Sequence, residues 1–290
     1  MQSAYYQPSG RISSKLLIYT IALAAVAIPF AWGYAWLTYY IPFIYLNLFI
    51  AIGFAIVLSF LALTLASLGK ARNPLVMTLL GFAVGVFGWY CQWVAWSGIV
   101  SNSISLSAAE TNYIPGIVDF ALNPELLFSF VKKINEIGIW KIKGATLNGS
   151  WLSAAWAIEF IIMTALPSLL GRSEAQKPFC EASGLWAKEV ELSKHFAYVA
   201  DKDKLRQSLE SSPVSLLGLL PAHDGMDTAY SQLKMYRCQG SNESFVSIIN
   251  TTVKIEKDKE KKSTETILQH LRIPKLTADV LALHCSSASS

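Results

Sequence analysis

Charged side chains are almost absent from the first hundred residues. Residues 16–69 contain no Asp, Glu, Lys or Arg, and neither do residues 75–100. A bilayer core about 30 Å thick needs about 20 apolar residues in a helix, since lipid offers the backbone no hydrogen-bond partners. Four stretches reach this length. We therefore predict four membrane-spanning helices, at residues 16–40, 42–69, 75–100 and 151–170, in a transmembrane domain covering residues 16–170.

The composition agrees with a membrane protein. Hydrophobic residues make up 53% of the chain and charged residues only 15%, which is unusual for a soluble enzyme. The first apolar stretch is much longer than the roughly 7 to 15 residues of a signal-peptide core, and its end is a poor cleavage site. We expect it to remain as an anchor.

Basic residues flank the predicted spans mainly on one side. Since Lys and Arg favour the cytoplasmic ends of membrane helices, this pattern predicts that both termini are cytoplasmic and that residues 101–150 are external. The expected setting is a bacterial inner membrane, with residues 1–15 as a cytoplasmic segment. The basic residues concerned are Arg11, Lys15, Lys70, Arg72, Arg172 and Lys177.

The predicted external segment is too long for a plain connection. Residues 123–138, NPELLFSFVKKINEIG, begin with an Asn-Pro-Glu start signal, carry an apolar stripe and end at Gly138. This is the pattern of an amphipathic helix, which would lie either on the outer membrane surface or across the ends of the spans. We expect a lid packed on the bundle.

The composition changes to that of a soluble domain after Gly171. Residues 171–285 are predicted to form a cytoplasmic α+β module, followed by a disordered tail at 286–290. A helix at 201–211 and a last helix at 276–284 accompany three strand-like runs at 229–239, 244–256 and 263–274. Short polar turns separate the runs, so they should form a three-stranded antiparallel meander. The balanced charge predicts no nucleic-acid partner.

Two turns in this module share the pattern Cys-x-x-Ser. The pairs Cys180 with Ser183 and Cys238 with Ser241 resemble the two knuckles of a zinc ribbon in which the second ligand of each knuckle is serine. Serine hydroxyls bind zinc poorly, so we predict neither a metal nor another cofactor. We do expect Cys180 and Cys238 to lie close together. A thiol-dependent enzyme is an alternative, although the resolving cysteines are missing and the cytoplasm keeps thiols reduced.

Glu159 is the most unusual residue of the predicted spans. A carboxylate inside a membrane helix is costly unless it is paired, protonated or close to the interface. It would pin helices together through a hydrogen bond, carry protons or cations, or reach the interface. The polar residues of the other spans that could partner it are Tyr34, Asn47, Tyr90, Gln92 and Ser97.

The third predicted span carries two further patterns. Gly81, Gly85 and Gly88 clear one stripe of the helix and predict a close contact with another helix, in this chain or in another copy. Tryptophans follow towards the external end, and more flank the fourth span, as expected for an aromatic belt or, alternatively, an aromatic ligand site. They are Trp89, Trp93, Trp96, Trp140, Trp151 and Trp156.

Enzyme signatures such as a P-loop, a dinucleotide-binding glycine pattern or a zinc-protease helix do not occur in the sequence. Our first functional hypothesis is therefore a non-enzymatic inner-membrane protein. It would form a homo-oligomer in the lipid bilayer and bind a cytoplasmic protein partner. The alternatives are a channel or small transporter that uses Glu159, and the thiol-dependent enzyme.

Overall fold

The computed structural model describes residues 4–41, 43–107, 115–142, 145–192, 194–221, 228–256 and 259–286. The chain forms two compact units. The helical unit comprises Gly10–Gln176. The sheet unit combines Met1–Ser9 with Lys177–Ser290.

Six helices and a small hairpin make up the helical unit. They are α1 (Leu16–Tyr40), α2 (Ile44–Leu68), α3 (Pro74–Ser107), α4 (Ile117–Leu122), α5 (Pro124–Ile137), the strands β1 (Trp140–Ile142) and β2 (Ala145–Leu147), and α6 (Gly149–Ala175). Helices α1, α2, α3 and α6 are long and apolar enough to cross a membrane, which confirms the coarse prediction of four such helices. At about 1.5 Å per residue, even the shortest of them extends about 37 Å.

The tight turn between α2 and α3 follows from local sequence signals. The backbone N–H of Gly69 donates to the carbonyl of Leu65 and ends α2. The side-chain oxygen of Asn73 then accepts from the backbone N–H groups of Leu75 and Val76, both at 3.1 Å, and caps α3. Pro74 occupies the first turn, where its missing N–H costs nothing.

Many small residues lie inside the helical bundle, and many large apolar residues lie on its outer surface. Ala27, Ala31 and Ala35 form a fully buried stripe on α1. By contrast, Phe49 and Phe60 of α2 are 72% and 67% exposed. Water would drive such rings inward, whereas lipid accepts them outside and leaves close packing to small residues. This distribution is typical of a bundle surrounded by lipid.

The lid packs on the bundle. Helix α5 forms within the predicted range, and the unpredicted short helix α4 precedes it. Phe120 of α4 and Leu127 of α5 are buried in one apolar cluster with Trp93 and Trp96 of α3. The hydroxyl of Tyr90 donates to the carbonyls of Phe120 and Ala121, at 3.3 and 3.0 Å. These contacts fasten the lid to α3.

The sheet unit contains the predicted meander within a larger sheet. Its elements are β3 (Phe179–Cys180), β4 (Leu185–Trp186), β5 (Lys188–Glu191), β6 (Phe196–Ala197), α7 (Lys202–Ser211), α8 (Leu216–Leu219), β7 (Ala229–Arg237), β8 (Glu243–Glu256), β9 (Lys259–Pro274) and α9 (Lys275–Ser286). Strands β7, β8 and β9 pair antiparallel in that order. The sheet has five strands instead of the predicted three, because β5 and β6 both pair with β7.

One face of this sheet carries the main core. Side chains that alternate along the strands, such as Leu233 and Met235 of β7, point towards the helices. Leu205 and Leu209 of α7 and Leu281 of α9 cover them. The Asp201 side chain caps α7 by accepting from the N–H of Lys204 at 3.0 Å.

Strand β9 contains two irregularities in its pairing with β8. Gln269 and His270 together lie opposite Ser247. On the other side of Leu268, Ile267 has no residue opposite it in β8. Such bulges insert an extra residue and redirect the side chains. As a result the adjacent residues Ile267 and Leu268 are both buried, at 0% and 1% exposure. The carbonyl oxygen of Ile267 accepts a hydrogen bond from Arg206 Nε at 2.9 Å.

The N-terminal segment belongs to the sheet unit. Tyr5 forms an antiparallel bridge with Leu271 of β9. The N–H of Tyr6 donates to the carbonyl of His270 at 2.9 Å, and the N–H of Arg272 donates to the carbonyl of Ala4 at 2.8 Å. Residues 4–6 thus extend the sheet beyond β9. The predicted tail at 286–290 lies outside the described residues except for Ser286.

Candidate functional site

Glu159 lies inside the helical unit. It is placed ten residues after the start of α6 and is 9% exposed. The hydroxyl of Tyr34, on α1, is within hydrogen-bonding reach of its carboxyl group. Helices α1, α2 and α3 contain no Asp, Glu, Lys, Arg or His, and α6 otherwise has only Arg172 and Glu174 near its end. Glu159 therefore has no cationic partner from the spans and is held by neutral groups.

A small cavity of about 30 Å³ adjoins the carboxyl group of Glu159. Three of the long helices and the segment that connects the lid to β1 surround it. Its walls combine aromatic rings with a few polar groups: Tyr34, Thr38, Gln92, Trp93, Trp96, Ile139, Trp156 and Glu159. The Thr38 hydroxyl donates back to the carbonyls of Tyr34 and Ala35, both at 3.1 Å, so it presents only its acceptor side to other groups.

One hydrogen-bond donor at this cavity is unused. The indole nitrogen Nε1 of Trp93 is buried and has no hydrogen-bond partner among the described residues, and the whole side chain is only 6% exposed. Its ring packs edge to face with Trp156 at 4.9 Å and with Trp96 at 5.7 Å, measured between ring centroids. Buried N–H groups in proteins are nearly always paired with protein or water. A residue with an unpaired buried donor is therefore part of the cavity wall.

The structure separates the polar residues that the sequence grouped with Glu159. Tyr34 and Gln92 line the cavity beside it. Tyr90 instead holds the lid. Asn47 of α2 is fully buried but does not line the cavity. Ser97 is also buried, and its hydroxyl has no partner.

The aromatic-belt prediction is wrong for two of the tryptophans. Trp93 and Trp96 are 6% and 8% exposed and belong to the cluster under the lid, because the lid covers this end of α3. Trp151 is 78% exposed and keeps the exposure expected of a belt residue. A sequence signal for a buried position was Gln92, which lies four residues before Trp96 and so on the same helix face, since lipid-facing helix surfaces rarely carry an amide.

The glycine stripe of α3 faces other helices of the same chain. A Cβ atom on Gly81 would lie 2.4 Å from the carbonyl oxygen of Pro167, and one on Gly85 would lie 2.5 Å from that of Met163. Pro167 has no N–H for the Met163 carbonyl, so that oxygen is free to face Gly85. A Cβ atom on Gly88 would lie 2.7 Å from the side chain of Leu58 in α2. The contacts at Gly81 and Gly85 bring α3 and α6 together beside Glu159.

Cys180 and Cys238 form a disulfide bond in the sheet unit, with their Cα atoms 5.5 Å apart. Both are buried, in a cluster with Tyr236 and Phe245 on the face of the sheet opposite the main core. Their close approach follows from the topology. Cys180 ends β3, and Cys238 directly follows β7, so the two cysteines begin two neighbouring turns.

The serines of these turns do not join the cysteines. Ser183 is exposed. The Ser241 hydroxyl accepts from the N–H of Glu243 at 3.1 Å. Glycines in the left-handed region, Gly184 at φ 66° and Gly240 at φ 75°, shape the two turns. Across the described parts of the chain, no group of three His, Cys, Asp or Glu side chains is placed to hold a metal ion.

Comparisons of the chain with protein-family models, with curated proteins and with solved structures found no match. The fold therefore defines only a coarse class: a chain with four helices able to span a membrane and an antiparallel sheet near its C-terminus.

Proposed function

We propose that the protein is a non-enzymatic membrane component that binds a partner protein through its sheet unit. The outward face of α9 carries this proposal. Leu276 and Leu283 are 77% and 71% exposed, although the opposite face of the same helix buries Ala278 and Leu281 in the core. Two large apolar side chains seven residues apart lie on one face of a helix.

This surface has the form of a helical binding site. The two leucines lie about 10 Å apart along the helix axis, which is the spacing that a partner helix or groove uses for successive anchors. Exposed apolar residues on a helix whose inner face is already packed gain stability only from something outside the unit. An apolar protein surface is the occupant that fits them.

The partner-binding surface would face the cytoplasm. A chain that crosses a membrane four times starts and ends on the same side, and Met1–Ser9 share one unit with Lys177–Ser290. The basic clusters next to the spans support a cytoplasmic position for this side. The disulfide favours an oxidising compartment instead. In a cytoplasmic sheet unit, Cys180 and Cys238 would be two adjacent reduced thiols.

Photo-crosslinking in cells tests the proposal. A crosslinking amino acid at Leu276 should capture a discrete protein, and the substitution Leu283→Asp should abolish that product while the protein remains folded. The same probe at Thr264, an exposed position on β9, is the matched control. Equal products from both positions, or a product that survives Leu283→Asp, would show that α9 is not the binding face.

The homo-oligomer belongs to the same proposal. An apolar groove of about 490 Å³ on α3 supports it, since this surface, between Phe82 and Tyr90, is wide enough to take side chains of a neighbouring helix. Native mass spectrometry of the protein in nanodiscs should detect more than one copy per disc.

A channel or small transporter is the second candidate, and the placement of Glu159 beside a polar cavity favours it. Proton flux in liposomes that is lost in Glu159→Gln would support that candidate.

A further inference from the structure

We infer that the cavity beside Glu159 is a binding site for one water molecule and one exchangeable proton. The water would accept a hydrogen bond from the indole N–H of Trp93, and Glu159 would carry the proton. The inference needs no flux across the membrane and no partner protein, so it stands or falls separately from the functions proposed above.

The size of the cavity admits a water molecule. A single water molecule needs about 10 to 15 Å³ of space, and it needs two or more polar partners. The cavity measures about 30 Å³. It is therefore large enough to hold a water molecule.

The groups in the wall supply the partners that a water molecule requires. Trp93 provides a buried indole N–H without an acceptor. The Glu159 carboxyl and the Gln92 side-chain amide both offer acceptor oxygens. A water molecule can accept from the first and donate to the others. It is thus the one small molecule that pairs the orphaned donor with the acceptors already present.

A bare metal cation fits these groups poorly. An indole N–H presents its positive end to any group that it contacts, which disfavours a cation at that end of Trp93. An anion would meet the carboxyl group of Glu159. A neutral occupant is free of both conflicts.

The neutral surroundings of Glu159 favour the protonated form of its carboxyl group. The cavity water is the group that accepts the proton when it leaves. Tyr34 of α1 is the titratable side chain that lines the cavity with Glu159. The remaining walls contributed by α3, by α6 and by Ile139 are neutral. An ionised carboxylate with no cationic neighbour is strongly unfavourable inside a membrane. When the proton leaves, the O–H bond of Glu159 breaks, the cavity water takes the proton to bulk solvent, and the Tyr34 hydroxyl donates to the carboxylate.

Infrared difference spectroscopy on the full-length protein in nanodiscs tests the inference. The wild-type protein should show the C=O stretch of a protonated carboxylic acid, and this band should shift in D₂O and disappear as the pH is raised. Glu159→Gln should lack the band. Trp93→Phe keeps the ring but removes the N–H, so it should move the pH midpoint by about half a unit or more. Trp89→Phe, in the same helix but outside the cavity wall, should leave the midpoint unchanged.

Several outcomes would overturn the inference. One is a spectrum without any band that depends on Glu159. Another is a band that ignores D₂O, because the proton would then not exchange. Equal effects of Trp93→Phe and Trp89→Phe would remove the role of the indole N–H. A band displaced by Na⁺ at constant pH would show that the site takes a cation instead.

Discussion

His270 occupies an uncommon position for its residue type. Its backbone φ is 54°, a left-handed conformation that the bulge in β9 requires. The backbone N–H donates to the Ser247 hydroxyl at 3.0 Å. Its ring lies edge to face with Tyr6 and Tyr236, with centroid distances of 6.3 and 4.9 Å. Burial lowers the pKa of His270 to about 4, although the charge of Glu189 acts in the opposite direction.

The protonation of His270 should make the sheet unit sensitive to acid. Because the pKa is about 6.5 in the unfolded chain and about 4 in the folded one, the unfolded state binds more protons between these values. Stability is therefore complete above about pH 6.5 and falls as the pH drops towards 4, by about 1 to 2 kcal/mol once solvent screening is included. Hydrogen exchange of β8 and β9 peptides, measured by mass spectrometry and corrected for the intrinsic exchange rate, should become faster as the pH falls from about 6.5 to 4.

His270→Asn is the informative variant for this effect. Asn tolerates the left-handed conformation, so the bulge should persist, but the side chain no longer titrates. We expect exchange in β8 and β9 to become independent of pH between about 6.5 and 4, after correction for the intrinsic exchange rate. An unchanged pH dependence in the variant would assign the effect to another group.

The two serine-containing turns permit a second prediction. Ser183→Cys together with Ser241→Cys would give four thiols at the ends of two neighbouring turns, which is the ligand set of a structural zinc site. The double variant, purified under reducing conditions, should contain about one zinc per chain by elemental analysis. Each single variant should contain much less, since three thiols leave the tetrahedral site incomplete. Equal zinc in all the variants and the wild type would contradict the prediction.

At the crossing of α3 and α6 the backbones of the two helices approach each other closely. At Gly85 the neighbour is backbone, so a methyl group 2.5 Å from the Met163 oxygen cannot be relieved by rotating a side chain. Gly85→Ala should therefore lower the stability of the bundle by about 1 to 3 kcal/mol. The measurement is the melting temperature in detergent.

Gly53→Ala provides the matched control. Gly53 lies within α2, and a Cβ atom there would meet nothing within 4 Å. Alanine is also the better helix former, so this variant should melt at the same temperature or slightly higher. If both variants melted alike, the close approach of α3 to α6 would not be important for stability.

The predictability of each element depended on the range of its signal. The four long helices were predictable because apolar runs of about 20 residues or more, three of them free of charge, have few other structures available to them. Helix α7 was predictable from Asp201, whose cap is local. The bulges in β9 were not predictable from the sequence. Whether Ile267 and Leu268 are both buried depends on helices that are distant in sequence and pack on the sheet. Strands β5 and β6 are too short to leave a pattern and exist only because β7 offers them an edge.

The candidate site was predictable only in part, for a related reason. Glu159 was identifiable because an isolated carboxylate in an apolar run is an anomaly in the sequence itself. Its partners were not, because Tyr34, Gln92 and Tyr90 are equally polar in the sequence. Only the packing of the lid over α3 separates the residues near Glu159 from those that hold α4.

At the scale of the whole molecule, the orientation in the membrane is the next property to measure. In a variant with all native cysteines replaced, Leu122→Cys in the exposed part of the lid should react with a membrane-impermeant maleimide applied to intact cells. Thr264→Cys in β9 should react only after the cells are opened. The reverse pattern would place the sheet unit outside the cytoplasm and would agree with the disulfide between Cys180 and Cys238.

The pairing of the N-terminal segment with β9 has a consequence for synthesis of the chain. Tyr5 and Leu271 are 266 positions apart, by subtraction of their numbers. At about 5 to 20 residues per second, roughly 10 to 50 s separate the synthesis of these two partners. Throughout this interval residues 4–6 have been made but their partner strand has not, so they remain accessible to chaperones or proteases. The sheet unit can close this edge only after Leu271 has been synthesised.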